Sequence, residues 1–467
     1  MDRDSCPQSD PPATAPAPTV VPFRTAVRAW FSISLQTFGG PAGQIAVMQR
    51  TLVDEKRWIG QRRFLHAMNY CMLLPGPEAQ QLATYVGWLL HGTPGGLVAG
   101  GLFVLPGVVA LLALSAVYVA FGTTTWVMAL FIGLAPAVLA IVAQAVVRVG
   151  KRALNSAALV AIAVAAFLGL ALFGVPFPVV VAVAGLAGWA LGRWRPSALP
   201  EKGKAEAADT APPPVISDDV LHHVPPTARR TLRVLLVGGL LWGLPVAAVA
   251  LLTGAHSVFT EQGLFFSGAA VVTFGGAYAV LSYVAQQAVQ VYGWLGPREM
   301  VRGLALAETT PGPLIMVVQF VAFLGAYRAS GSLAPWAAAV LASLLVTWVT
   351  FVPSMLFVLL GAPYMERLRG NRSLSAALTG ITAAVVGVIA NLGVYFAIHT
   401  LFSGTVAFDR AVVHVQVPDP TTLRPVALGI AVVAALLLFK AQWSVLRTLG
   451  VCAALGLAAG LAGLPIT

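Results

Sequence analysis

Thirteen mostly apolar stretches, each about as long as a bilayer-spanning helix, take up most of this chain. They lie at 27–48, 64–90, 96–121, 125–148, 153–173, 175–192, 231–253, 263–290, 303–327, 334–361, 374–401, 424–440 and 444–464. About 20 apolar residues are enough to cross the hydrocarbon core as a helix. Apolar types make up 58% of the 467 residues and charged types 10%, where soluble proteins have about 25% charged residues. This excludes a soluble multidomain enzyme and a disordered chain. The formal net charge of +11 sits in short connections between apolar runs. A nucleic-acid binder would gather it on one face; a polytopic membrane protein distributes it this way. The predicted fold class is an all-α polytopic integral membrane protein, with the lipid bilayer as its first partner and no nucleic acid.

Residues 1–22 are rich in Pro and Ala and read as a disordered tail, with no apolar core of a signal peptide. Residues 193–230 hold seven prolines and mixed charge and read as a cytoplasmic linker. The linker separates a first membrane unit, 23–192, from a second, 231–467, which has additional C-terminal helices. Cys6, Cys71 and Cys452 form no CxxC pair, and His66, His91 and His399 are isolated. No metal or other cofactor is expected.

The two units repeat one another. Thr37-Phe38-Gly39-Gly40 recurs as Thr273-Phe274-Gly275-Gly276, Trp58 and Gly60 recur as Trp294 and Gly296, and Pro75-Gly76-Pro77 recurs as Pro311-Gly312-Pro313. All share one offset (312 − 76 = 236). Gly133 then matches Gly380 (380 − 133 = 247), as if the second unit gained 11 residues near Gly331–Pro335. An odd number of crossings separates the copies whether the broken segments span or re-enter, so the repeats are expected to be of inverted topology, a plan of secondary transporters. The basic connections at 49–63, 148–152 and 366–372 all fall inside if the Gly/Pro-broken segments are re-entrant hairpins.

Proline removes a helix donor and glycine permits tight turns. Phe38-Gly39-Gly40-Pro41 and Pro75-Gly76-Pro77, with their copies, are therefore predicted to interrupt helices at membrane depth. Each interruption bares N–H groups at a half-helix start, which suit an anion. The alternative is a proline kink that only packs helices. Glu78 follows Pro77 and Glu308 precedes Pro311; ionisable groups at such places are candidates for proton coupling, or for helix capping. The repeat does not pair them: Glu78 matches Leu314 and Glu308 matches Met72. Gln44, Asn69, Gln80, Gln81, Thr84 and Tyr85 cluster near the first pair of breaks. Thr273, Tyr278, Gln286, Gln287, Thr309, Thr310 and Gln319 cluster near the second. They read as oxyanion donors or as interhelical polar glue. No catalytic dyad or soluble catalytic domain is recognisable, so the chain is not expected to be an enzyme.

With these residues in view, the pattern Phe38-Gly39-Gly40-Pro41 with Pro75-Gly76-Pro77-Glu78, repeated as Phe274-Gly275-Gly276 and Pro311-Gly312-Pro313, resembles the chromate ion transporter family in its long, two-domain form. The resemblance covers about 27–150 and 263–400. It implies a multi-pass protein of the bacterial inner membrane that expels chromate on the proton gradient and confers chromate resistance. Sulfate or another oxyanion is the alternative substrate, an anion channel the alternative mode, and a homodimer an allowed assembly. The substrate-binding positions expected are Gly39, Gly40, Pro41, Gln44, Pro75, Gly76, Pro77, Gln81, Gly275, Gly276, Thr310, Pro311, Gly312 and Pro313, with Glu78 and Glu308 for the proton. Two departures stand out: Gln44 replaces a His common in the family, and Ala277 stands where the first copy has Pro41.

Overall fold

In lipid every backbone N–H and C=O must find a partner within the protein, so apolar runs fold as helices. The computed structural model describes residues 21–38, 40–198, 215, 227–274, 276–364, 371–410 and 413–462. Gly39, Gly275, most of the predicted tail and most of the predicted linker lie outside the described residues. In chain order the helices are α1 (Phe23–Gln36), α2 (Gly40–Gln49), α3 (Gln61–Cys71), α4 (Glu78–Phe121), α5 (Thr125–Ala153), α6 (Ala157–Phe173), α7 (Phe177–Trp194) and α8 (Ala228–Thr253). There follow α9 (Val258–Val272), α10 (Ala277–Gln286), α11 (Pro297–Thr309), α12 (Val317–Arg328), α13 (Pro335–Gly361), α14 (Arg372–Leu401), α15 (Pro425–Ala435) and α16 (Val445–Leu461). Six are long and apolar enough to cross a membrane: α4, α5, α7, α8, α13 and α14. Side-chain oxygens of Ser156, Thr227, Ser257, Asn371 and Ser444 accept first-turn N–H groups and set the starts of α6, α8, α9, α14 and α16.

Element order repeats. Elements α1, α2, α3 and the first part of α4 have the lengths and order of α9, α10, α11 and α12. The rest of α4, with α5, α6 and α7, corresponds to α13, α14, α15 and α16. Both α2 and α10 run on into a π-helical turn, at Arg50–Glu55 and Gln287–Val291. After each, a backbone bond of 2.8 Å closes the chain, from Trp58 to Leu52 and from Trp294 to Ala288. The first half bends α4 at His91–Gly92; the second half has a loop at 329–334 in that place. Pro106-Gly107 of α4 matches Pro353-Ser354 of α13 (353 − 106 = 247). Helix α8 has no counterpart among the described residues of the first half.

The all-α class holds, with one addition: Thr405–Arg410 and Val413–Pro418 pair as an antiparallel hairpin, β1–β2, inserted between α14 and α15. Strands of six residues are far shorter than a spanning helix, so a search for apolar runs passes over them. The predicted tail ends too late. Val21 is buried, and its carbonyl lies 2.8 Å from His91 Nε2.

The halves are knitted together. Helix α5 of the first half packs on α16 of the second, where a methyl on Gly133 would overlap the Cys452 carbonyl. Helix α14 of the second packs on α7 of the first, where Gly188 and Gly380 meet backbone to backbone. Small residues at both crossings permit the close approach that packs helices in lipid. Helix α8 touches α13 along its length, with Trp348 Nε1 donating to the Leu241 carbonyl at 2.7 Å. An apolar cavity of about 1120 Å³ opens between α4, α8 and α13; none of the four Gly/Pro breaks lines it.

Candidate functional site

Four interruptions meet in the middle of the molecule, and the backbone itself joins them. The Gly76 N–H donates to the Thr273 carbonyl at 2.8 Å, and the Gly312 N–H donates to the Thr37 carbonyl at 2.9 Å. These bonds are reciprocal: each proline break of one half is tied to the glycine break of the other. Thr37 and Thr273 are both 0% exposed, so an unmet carbonyl there would cost several kcal/mol. Gly40, Gly76, Gly276 and Gly312 have φ of +75°, +132°, +101° and +102°, values L side chains rarely adopt. At Gly76 space is also limiting, since a Cβ would lie 2.6 Å from Ser354 Oγ. Helices α2, α4 and α10 all begin here, and the first N–H groups of a helix have no intrahelical acceptor. Four positive-φ glycines thus turn three helix starts toward one small region.

Side chains brace this frame. Gln44, 1% exposed, donates from Nε2 to the Gly312 carbonyl at 2.6 Å, linking α2 to the fourth break. Gln81 Nε2 donates to the Pro75 carbonyl at 2.7 Å; its buried Oε1 has no partner among the described residues. Ser354 of α13 donates to Gln80 Oε1 of α4 at 2.8 Å. Tyr278 donates to Glu308 Oε1 at 2.6 Å, and Glu308 Oε2 is buried without a partner among the described residues. Each carboxylate stands against the other half's glycine break. A Cβ at Gly276 would lie 3.8 Å from Glu78 Oε1, and one at Gly40 would lie 3.8 Å from the Tyr278 hydroxyl that holds Glu308.

One side of the frame is open. A pocket of about 670 Å³ runs from Phe38, Ala42 and Gly43 at the first break to Gln144, Arg148 and Lys151 on α5. Arg148 donates to Gln144 Oε1 at 2.9 Å, and it is near enough to Glu308 to act on it electrostatically. The pocket has two cations and no carboxylate in its lining, an arrangement that raises the local concentration of anions.

Of the residues expected at the site, Gly40, Pro41, Pro75, Gly76, Pro77, Gly276, Thr310, Pro311, Gly312 and Pro313 all sit at the four meeting breaks. Gly39 and Gly275 fall outside the described residues. Gln44 and Gln81 point at backbone carbonyls of the breaks and hold them. Thr310 Oγ1 is likewise turned inward, to the Ala307 carbonyl at 2.9 Å. Glu78 is the first residue of α4, and Glu308 lies one residue before the end of α11. Sequence reading missed Ser354 and the Tyr278–Glu308 bond. For Ser354 a signal existed in the match of Pro106-Gly107 with Pro353-Ser354; for the bond, 30 residues of separation left none.

A family model described as "Chromate transporter" matches residues 24–189 and 260–462. The two stretches start in α1 and α9 and leave out α8. A "Chromate transport protein" of Pseudomonas aeruginosa is 31% identical over 442 residues, 93% of this chain and 90% of the relative. One of the same description from Cupriavidus metallidurans is 29% identical over 380 residues, 80% of this chain and 82% of the relative. A "Probable chromate transport protein" of Synechococcus elongatus is 25% identical over 357 residues, 76% of this chain and 79% of the relative. No solved structure matches the chain. With two breaks in each matched stretch and six apolar helices long enough to span, this multi-pass membrane protein belongs to the chromate transporter family.

Proposed function

We propose that the chain is a secondary active transporter that exports chromate from the cytoplasm across the bacterial inner membrane, driven by the proton gradient. The reading has the two halves in inverted topology, the Gly/Pro-broken segments as re-entrant hairpins, and the linker at 193–230 in the cytoplasm. The observation that carries it is the reciprocal pair of bonds, Gly76 to Thr273 and Gly312 to Thr37. They gather the breaks of both halves beside a pocket bearing Arg148 and Lys151. Relatives named for chromate transport support the substrate.

Chromate is a tetrahedral dianion. In this reading Arg148 and Lys151 draw it into the pocket, and first-turn N–H groups of α2, α4 and α10 receive its oxygens, as helix starts receive phosphate. Gln44 and Gln81 act as positioning residues that keep the breaks open. Rocking of one half on the other then exposes the centre to the far side. The inside-negative potential favours the outward passage of a dianion by about 2.3 kcal/mol per charge per 100 mV. The empty centre returns with a carboxylate protonated, Glu308 or Glu78, because a bare charge inside the membrane is costly.

Radiolabelled chromate flux into inverted vesicles, with and without a pH gradient, tests this. Saturable uptake stimulated by an acidic lumen is expected. Glu308→Gln keeps an acceptor for the Tyr278 hydroxyl, so the fold should persist while gradient stimulation is lost. If Glu78→Gln and Glu308→Gln both retain full gradient-driven flux, the carboxylates do not carry the proton. Competition by unlabelled sulfate measures selectivity between the two tetrahedral dianions.

A further inference from the structure

A second cluster of cations lies apart from the four breaks. Arg298 and Arg302 sit one turn apart at the start of α11, and Arg424 precedes α15. With His399 and Thr400 of α14 and Pro136 of α5 they line a cavity of about 80 Å³. That is a few water volumes, room for one small tetrahedral ion. Its lining holds three guanidinium groups and no carboxylate. Arg298 and Arg302 are both close enough to Arg424 to act on it through space, so the folded chain holds like charges together there.

Among the described residues no carboxylate bonds to any of the three, and Glu299 acts on Arg302 only through space. The nearest carboxylate along α11, Glu299, is engaged elsewhere: Arg328 grips it with bonds of 2.9 and 2.6 Å, and the Gly296 N–H adds a third of 2.8 Å. Arg302 donates to the Tyr118 hydroxyl at 3.1 Å and lies over the Phe131 ring, and neither partner carries a negative charge. Arg424 Nε and Nη2 are buried with no acceptor among the described residues, and so is Thr400 Oγ1. Buried donors of this kind cost free energy unless something accepts from them.

The hairpin builds the third corner. Its base is closed by the Arg424 N–H on the Leu401 carbonyl at 2.8 Å and by the Phe402–Leu423 bridge, which bring Arg424 back over α5. Among the described residues the first half has no hairpin, and the positions matching Arg298 and Arg302 at the offset of 236 are Arg62 and His66. The cluster therefore belongs to the second half alone.

We propose that the cavity between Arg298, Arg302 and Arg424 is a second binding site for a small tetrahedral oxyanion, distinct from the four-break centre. Its chemistry fits: fixed guanidinium forks match oxyanion geometry, and Thr400 supplies a hydroxyl. The placement rests on the topology proposed above, in which the start of α11 and the hairpin face the side opposite the Arg148–Lys151 pocket. The substrate then meets one cationic cavity on entering and another on leaving.

The test is equilibrium binding of radiolabelled chromate to the purified full chain in nanodiscs of phosphatidylcholine alone. Two classes of site are expected. Arg298→Gln, Arg302→Gln and Arg424→Gln should each weaken one class about tenfold or more, as loss of a charged hydrogen-bond partner does, and Arg424→Lys should restore part of it. Gln44→Ala should weaken the other class only. An isotherm unchanged in all three arginine variants overturns the proposal; Arg298 is exposed, so its variant is expected to fold even if the others fail. Loss of the arginine-dependent class with Gln44→Ala unaffected keeps the second site and removes the four-break centre. If adding anionic lipid to the nanodiscs abolishes the arginine-dependent class while leaving the other intact, a headgroup phosphate is the occupant and the free-ion site is wrong.

Discussion

Replacing one hydrogen by a methyl group distinguishes glycines that hold the centre from those that merely sit in a helix. On α4, Gly101 and Gly107 are six residues apart. A Cβ on Gly101 meets nothing within 4 Å, whereas one on Gly107 would lie 2.8 Å from the Pro311 carbonyl and 3.7 Å from Gly312 Cα. Gly101→Ala should be neutral or gain up to about 1 kcal/mol from helix propensity. Gly107→Ala must push the fourth break away, at a cost of about 1–3 kcal/mol, and should abolish chromate flux. Thermal unfolding in detergent, with flux on the same preparations, checks the pair; equal behaviour would mean that α4 does not support the break. The breaks themselves were legible in sequence because Gly and Pro act on their own backbone. Their partners were less so: Tyr278 was placed near the second pair of breaks but not against Glu308, and Ser354 shows only as the match of Gly107, because both reach the centre through tertiary packing.

At the scale of elements, the repeat at offset 236 located α1 to α3 against α9 to α11, since matched residues fall at equal steps within matched helices. The change of offset to 247 also marked the place where a loop at 329–334 stands against the bend at His91–Gly92, but the repeat was silent on the hairpin β1–β2 and the unmatched α8, which have no second copy among the described residues to reveal them. One contact that differs between halves is open to titration. Glu299, at the start of α11 outside the apolar spans, is clasped by Arg328 of α12. Burial raises its carboxyl, but the bonds from Arg328 and the Gly296 N–H outweigh that and hold it below the usual Glu range. A lowered folded value means stability that is whole above the unfolded pKa, about 4.3, and is lost as pH falls through the folded value. Glu299→Gln should therefore lower stability by up to about 1 kcal/mol near pH 7, and the difference from the parent should vanish at more acidic pH. Thermal melts at several pH values decide it; a gap that persists in acid would assign the effect to packing.

For the whole molecule, the exchange of last helices decides how the halves depend on each other. If each half were a closed unit, α7 would complete the first and α16 the second. Instead α5 is covered by α16, and α14 by α7, at crossings where Gly133 faces Gly456 and Gly188 faces Gly380. Each half alone would leave a long helix without the partner its glycines are shaped for, and would leave the Thr37 and Thr273 carbonyls unmet. None of these contacts uses the connection between α7 and α8; within it the described Val215 donates its N–H to the Arg57 carbonyl at 3.1 Å, a tie that a cut before residue 211 leaves with the second piece. Cutting the chain in that interval should thus be tolerated. Residues 1–210 and 211–467 expressed together should assemble and transport chromate, while either alone should be degraded or inactive. Co-purification through a tag on one half, followed by flux in vesicles, is the measurement. Substituting Leu for Gly188 or Gly456 should prevent co-purification, since a larger side chain there separates backbones that now touch. A half that folds and transports by itself would mean the exchanged helices are incidental. The four-break centre would then have to form between two copies of one half, with bonds like those joining Gly76 to Thr273 and Gly312 to Thr37 running between chains.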